Sequence, residues 1–305
     1  MSVDFNAIYP WSDIQAVTID GQAMVKIPAF YVKVGKAADG TTAAGRKCYW
    51  ISDKPRSGFH LHPSFMRAGK AIPCFYFGGY EASADGSKAA SLAGKSPWVN
   101  ITIGNSRAAC AARNTGTGDQ AGWHLNNVYE RSAISLLMMI ELGTADVQTA
   151  INSGNVSTNG AAATGGTKAV WRNIHEFWGN VDEWVDGMKF NNYAVSMWDN
   201  KGNQTYVTTG ATVPSGSGAI IKDMWETSGE SFDLNDVFVP KTTTSGAGNY
   251  GSDGVWSNNG SDNALHVSGD WDDGARAGAF LFAAFTSASD AGGNIGFRLA
   301  KYPES

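Results

Sequence analysis

The strongest periodic signal in the chain is confined to one segment, and that limits what the rest can be. Between Asn126 and Gly143, the residues Ala133, Leu136, Leu137 and Ile140 recur at i, i+3, i+4 and i+7, the spacing of one helical face. Asn126 or Asn127 supplies an N-cap, Glu130 puts negative charge in the first turns, and Gly143 suits a left-handed C-cap. A shorter alanine-rich helix is expected over 106–113. Elsewhere the apolar residues come in short runs: 22–34 with Pro28 at a bend, 49–52, 72–80, 204–209, 237–239 and 265–300. Their length and spacing read as strands. The 37 glycines against 9 prolines fit many tight turns and irregular loops. One good helix among many short strands predicts an α+β chain with long loop insertions.

Composition removes several function classes. Hydrophobic residues make up 43% of the 305 and charged residues 17%, enough apolar material for a core. The 23 basic and 28 acidic side chains leave a net charge of −5, which argues against nucleic-acid binding by phosphate neutralisation and against a polybasic membrane surface. The longest compact apolar run, 133–140, is far too short to span a bilayer, so no membrane insertion is expected. Residues 1–10 lack the basic and apolar regions of a secretion signal. Cys48, Cys74 and Cys110 are odd in number and widely spaced, and read as buried thiols. Loops are expected at 86–97, 154–166 and through most of 191–263. Without an internal repeat or a Pro-rich or charged linker, residues 1–305 read as one elaborated domain, with 265–300 as a distinct region inside it.

Three stretches form an ordered set: Gly122-Trp123-His124-Leu125-Asn126-Asn127 ahead of the helix, Gly179-Asn180-Val181-Asp182-Glu183-Trp184-Val185-Asp186-Gly187, and Gly293-Asn294-Ile295-Gly296-Phe297-Arg298. Physically, Trp184 beside a Gly-Asn turn is a core anchor. Arg298 is a partly buried guanidinium expected to fork onto a carboxylate, Glu183 or Asp186. With the opening Met24-Val25-Lys26-Ile27-Pro28-Ala29-Phe30, the set resembles the C-type-lectin fold in its formylglycine-generating-enzyme-like branch, over most of the chain.

A narrower resemblance lies in residues 266–280, His-Val-Ser-Gly-Asp-Trp-Asp-Asp-Gly-Ala-Arg-Ala-Gly-Ala-Phe, followed by the terminal Gly-Phe-Arg. This segment resembles the variable region of proteins diversified by retroelements, a family with phage tail-fibre members. There an error-prone copy of a template, altered at adenines, replaces the 3′ end of the gene. Asp270, Asp272, Asp273, Ala275, Arg276, Ala283, Phe285 and Thr286 are all reachable from an AAC template codon. The resemblance implies that they form a variable ligand-binding surface. Trp184, Trp271, Gly274, Gly278, Phe280, Gly296, Phe297 and Arg298 would be its scaffold. It further implies a protein or glycan receptor on a bacterial surface as partner, a homotrimer, and a place in the virion after cytoplasmic synthesis. A diversified cellular protein of the host is the alternative. Independently of the family, no single catalytic logic asks for Asp, Ala, Arg, Phe and Thr together, whereas a binding surface does.

Enzyme readings find less support. Formylglycine-generating enzymes use a cysteine pair shortly before the Gly-Phe-Arg end, and 269–296 contains no cysteine. Of the five histidines, only His60 and His62 share a strand face, a weak metal hint without a third ligand. Asp182 and Glu183 are adjacent and would point to opposite faces of a strand, so they form no acid–base dyad. The Asp/Asn-rich stretch 253–263 could ligate calcium, although Asx-turns account for it more simply. The expectation is therefore a non-enzyme with no cofactor and no metal.

Overall fold

The computed structural model describes residues 3–38 and 47–303; Met1 and Ser2, where the reading for a secretion signal begins, lie outside them. In chain order the principal strands are Gln15–Ile19 (β1), Gln22–Pro28 (β2), Tyr31–Lys36 (β3), Lys47–Ser52 (β4), Cys74–Gly78 (β5), Trp123–Leu125 (β6), Asp182–Asn191 (β7), Ala194–Trp198 (β8), Tyr206–Thr212 (β9), Gly216–Met224 (β10), Pro240–Thr244 (β11), Gly254–Ser257 (β12), Ser261–Val267 (β13), Phe282–Ser287 (β14), Ile295–Phe297 (β15) and Leu299–Lys301 (β16). The longer helices are Ile103–Ala111 (α1) and Val128–Leu142 (α2).

Helix α2 begins and ends where its caps dictate. The Asn127 side chain accepts from the backbone N–H groups of Tyr129 and Glu130 at 3.1 and 3.2 Å, and Glu130 reaches back to accept from Asn127 N at 3.1 Å. This reciprocal box satisfies donors that a helix start leaves open. Gly143 closes the other end at φ 67°, where a side chain would be strained. Every residue from Val128 to Met138 is buried, so the helix is enclosed on all sides rather than along one stripe. Helix α1 starts three residues earlier than its alanines suggest, because Thr102 caps it by accepting from Asn105 N at 3.1 Å.

Two sheets carry the fold. The first has the order β1-β2-β5-β16-β6, so strands from the two ends of the chain lie side by side. The second has the order β9-β8-β7-β13-β14-β12-β10-β11, with β15 added parallel to β7. Gly296-Phe297-Arg298 spans the step from β15 in one sheet to β16 in the other, which places Arg298 between them. The larger apolar cluster gathers Phe30, Phe65, Phe75, Phe77, Trp178 and Phe190 with α2. A smaller one holds Trp184 and Phe297 against Ile103, Trp123 and Leu125. Each large side chain so buried contributes about 1.5–3 kcal/mol relative to exposure.

The architecture is α+β and β-rich, as the C-type-lectin resemblance implies. Within 191–263 the strand expected over 204–209 is present as β9, while β8, β10, β11 and β12 lie where the sequence reads as loop. Strands β10 to β12 are rich in Thr, Ser and Gly and show little apolar alternation. Residues 237–239 do not form a strand. Val237, Phe238 and Val239 are buried after a 3-10 turn, and pairing starts at Pro240.

Candidate ligand-recognition surface

Behind the C-terminal surface lies a buried charge frame. Arg298 is fully buried and does meet Glu183, as its sequence setting suggests. Nε and Nη2 both donate to the same oxygen, Oε1, at 3.0 and 2.6 Å, so the contact is not a two-oxygen fork. The other oxygen is taken by Arg131 Nη1 of α2 at 2.9 Å. Arg298 also donates to the carbonyls of Gly78, His175 and Glu176, tying β5 and the 175–176 turn to β16. Asp186, the other candidate, is held instead by Arg107 through two 2.8 Å bonds. Glu81 is enclosed beside this pair; burial raises its carboxyl well above the usual range, and Asn180 and Val181 N donate to it. Burial pulls the Arg131 guanidinium down to about 10, against the pull of Glu183. A carboxylate shared by two guanidiniums in a dry interior is costly to break from one side.

Residues 268–278 lie between β13 and β14 as a tight loop, tied to β7 at Asp182, the neighbour of Glu183, by Gly269 N at 3.0 Å. Gly278 is required by space: a Cβ there would lie 2.0 Å from Asp253 Oδ1. Asp253 is wholly buried, accepts from Phe280 N at 2.8 Å, and has its carboxyl raised well above the usual range by burial. Gly274 has open space around it but sits at φ 58°. Phe280 packs edge-on against Phe238 at 4.8 Å. Trp271 departs from its expected role as an anchor. It is half-buried and belongs to neither apolar cluster, because it sits at the turn of the loop; its carbonyl accepts from Thr158 N at 2.9 Å.

Of the eight residues expected on a binding surface, Asp272, Ala275, Arg276 and Phe285 are exposed, and Asp273 and Thr286 are half-buried. Phe285 is 41% exposed, unusual for a large apolar side chain in this fold. A register shift explains its position. Between His266 and Ala264 on β13 the partner strand β14 advances from Ala283 to Thr286, one residue more, so β14 bulges at this point. The Phe285 ring lies on the edge of His266 at 5.2 Å, and Thr286 Oγ1 is 3.0 Å from His266 Nε2. Two expected residues are corrected. Ala283 is 1% exposed, paired between Trp256 and His266 in the sheet interior, and as alanine presents no surface. Asp270 is 5% exposed and engaged from within, accepting from Asp272 N at 2.9 Å and from Asn294 Nδ2 at 2.5 Å.

Sequence reasoning missed a carboxylate cluster beneath the loop. Asp182, on β7, accepts from Gly269 N at 3.0 Å, and Asp270 N donates to Asp273 Oδ2 at 2.9 Å. Ligand atoms of Asp182, Asp270 and Asp273 all lie within 4.8 Å of one another. Burial raises the Asp270 carboxyl to about 7 and the Asp273 carboxyl to about 6, with the Asp182 charge adding to both. Nothing local in the sequence brings Asp182 to a loop almost ninety residues away; only the β7–β13 pairing does.

The other candidates resolve into structure. His60 Nε2 meets Asp236 Oδ1 at 2.7 Å, and His62 is buried, with Nε2 3.2 Å from the Asp236 carbonyl. The two rings thus serve a 3-10 turn. Burial lowers His62 to about 3. Cys74 and Cys110 are buried and Cys48 half-buried, all free. The 253–263 stretch consists largely of β12 and the start of β13, with an Asn258 turn between them, rather than an oxygen-lined loop. Among the described residues, no helix is long and apolar enough to cross a membrane.

The class so defined is an α+β domain with a buried Arg–Glu frame under a chemically mixed C-terminal surface. No protein-family model matches the chain, and no curated protein does. Among solved structures it is similar to PvdO from Pseudomonas aeruginosa, at 11% identity and a TM-score of 0.44 over 94% of this chain and 99% of that one. It is similar to Treponema denticola variable protein 1, at 13% identity and 0.42 over 95% and 99%. The I1 variant of a major tropism determinant is similar at 13% identity and 0.37 over 99% and 85%.

Proposed function

We propose that this chain is a recognition protein, not an enzyme, that binds a macromolecule through its C-terminal surface. One observation carries the reading: Asp272, Ala275, Arg276 and Phe285, four unrelated chemistries, are all exposed on a segment whose intervening residues Gly278 and Phe280 are fixed by packing. Such an arrangement lets side chains change without changing the backbone. Arg and aromatic residues are among those most enriched as binding hot spots. With Asp273 and Thr286 at its margin, this is the surface a retroelement would diversify. Asp270 and Ala283 then belong to its floor.

The partner we infer is a protein or glycan on a bacterial surface, met at the tip of a phage tail fibre. A homotrimer would multiply a weak single-site contact by avidity. The chain would be made in the cytoplasm and carried on the virion. The test is binding of purified protein to a panel of bacterial cells, compared with Arg276→Ala and Phe285→Ala. Loss of a hot spot lowers affinity by about 30-fold. Unchanged binding in both variants to a strain that the parent binds would overturn the reading.

A further inference from the structure

We propose that the cleft between α1 and strands β7, β8, β9 and β13 binds an uncharged sugar chain. The cleft has a volume of about 490 Å³, within the range of small-molecule sites, about 300–1,000 Å³. Lys189 of β7 and Asp262 of β13 line it with opposite charges, yet they form no ion pair with each other or with any other described residue. The Asp262 carboxylate accepts no hydrogen bond among the described residues, although its backbone is fixed: φ is 61° and its carbonyl accepts from Ala288 N at 3.0 Å. Arg107 of α1 gives Nε and Nη2 to Asp186, each at 2.8 Å, and Nη1 has no partner among the described residues. A carboxylate, an ammonium and part of a guanidinium are thus held around one space without satisfying one another.

The wall between them is aromatic. The Trp198 and Tyr206 rings lie 6.3 Å apart, and the Lys189 ammonium sits 4.5 Å from the centre of the Tyr206 ring. Ring surface with a few placed polar groups is the make-up of a ligand site. A sugar offers the complement to both: C–H faces for the rings, and hydroxyls that donate to Asp262 while accepting from Lys189 and Arg107. Two cations, Arg107 and Lys189, against two carboxylates, Asp186 and Asp262, leave no excess charge to favour an ionic ligand. Gln204 lines this cleft and also a neighbouring one of about 510 Å³, where the Arg67 guanidinium lies 4.6 Å from the centre of the Tyr302 ring. The two spaces adjoin at one side chain, which suits an extended chain of sugars rather than a single ring.

None of these residues belongs to the C-terminal surface of the proposed function, so the two readings fail separately. The full chain is applied to an array of neutral and acidic bacterial surface polysaccharides, and binding to the strongest neutral glycan is then measured by titration calorimetry. Saturable binding to a neutral glycan is expected. Asp262→Asn keeps an acceptor and a residue type that tolerates a left-handed backbone, but removes the charge; it should bind about tenfold more weakly with an unchanged Tm. Lys189→Gln, at an exposed position, should weaken binding to a similar extent. Arg276→Ala and Phe285→Ala should leave this affinity unchanged. No binding to any neutral glycan, tighter rather than weaker binding in Asp262→Asn, or undiminished binding in either cleft variant overturns the proposal.

Discussion

The frame around Glu183 and the loop anchored at its neighbour Asp182 use the same charged residue types to opposite ends. In the frame, Arg298 divides its donors between Glu183 and three backbone carbonyls, Arg131 gives one donor to Glu183 and one to the Phe177 carbonyl, and both are buried. On the loop, Arg276 and Asp272 are exposed and enter no ion pair among the described residues. The contrast teaches which residues can change. A group whose partners come from three separate strands or turns is fixed by all of them, whereas a group facing water has only its own backbone to satisfy.

The comparison breaks most visibly at Arg298. Arg298→Leu leaves Glu183 and Glu81 buried with one guanidinium between them, and should cost about 3–5 kcal/mol in urea unfolding. A loss below 1 kcal/mol would mean that the frame does not hold the fold. Gly278→Ala is next, because its Cβ would strike the Asp253 carboxylate; overpacking of this kind costs about 1–3 kcal/mol by the same measurement.

The Asp253 carboxyl offers a pH version of the same test. Its folded pKa lies above the unfolded value, so its contribution is complete below the unfolded carboxyl range and is lost as pH rises towards the folded value. Asp253→Asn keeps an acceptor for Phe280 N without titrating. The decline in stability from pH 4 to pH 8 should therefore be shallower in the variant, and an unchanged slope would remove Asp253 from the account. Asn127→Ala opens the capping box of α2 at a cost of about 1 kcal/mol. The smallest effect sharpens the contrast: Asp272→Ala and Arg276→Ala should leave stability within about 0.5 kcal/mol of the parent.

Much of the frame was legible because it is written locally. The i, i+3, i+4, i+7 spacing, Glu130, Gly143 and an Asn at 126 or 127 outline α2, and Gly-Phe-Arg with Asp-Glu-Trp-Val-Asp narrows the partner of Arg298 to Glu183 or Asp186. What stayed hidden depends on strand register. Phe285 is expected at the surface, but the burial of Ala283, set against it by one extra residue in β14, is announced by no pattern of residue types. The Asp182–Asp270–Asp273 cluster is likewise assembled by the β7–β13 pairing. Strands β10 to β12 escaped notice because their Thr, Ser and Gly residues resemble loop composition, whereas β9 answers to the strand expected over 204–209.

The division between fixed and changeable residues is tested most directly in the DNA flanking the gene. The account predicts a near-copy of the codons for residues 265–298 beside a reverse-transcriptase gene, differing almost only at template adenines. The differences should fall on the codons of Asp272, Asp273, Ala275, Arg276, Phe285 and Thr286, with Gly278, Phe280, Phe297 and Arg298 unchanged. If no such copy exists, or if the differences fall equally on those four scaffold codons, a rigid frame beneath a diversified surface is contradicted.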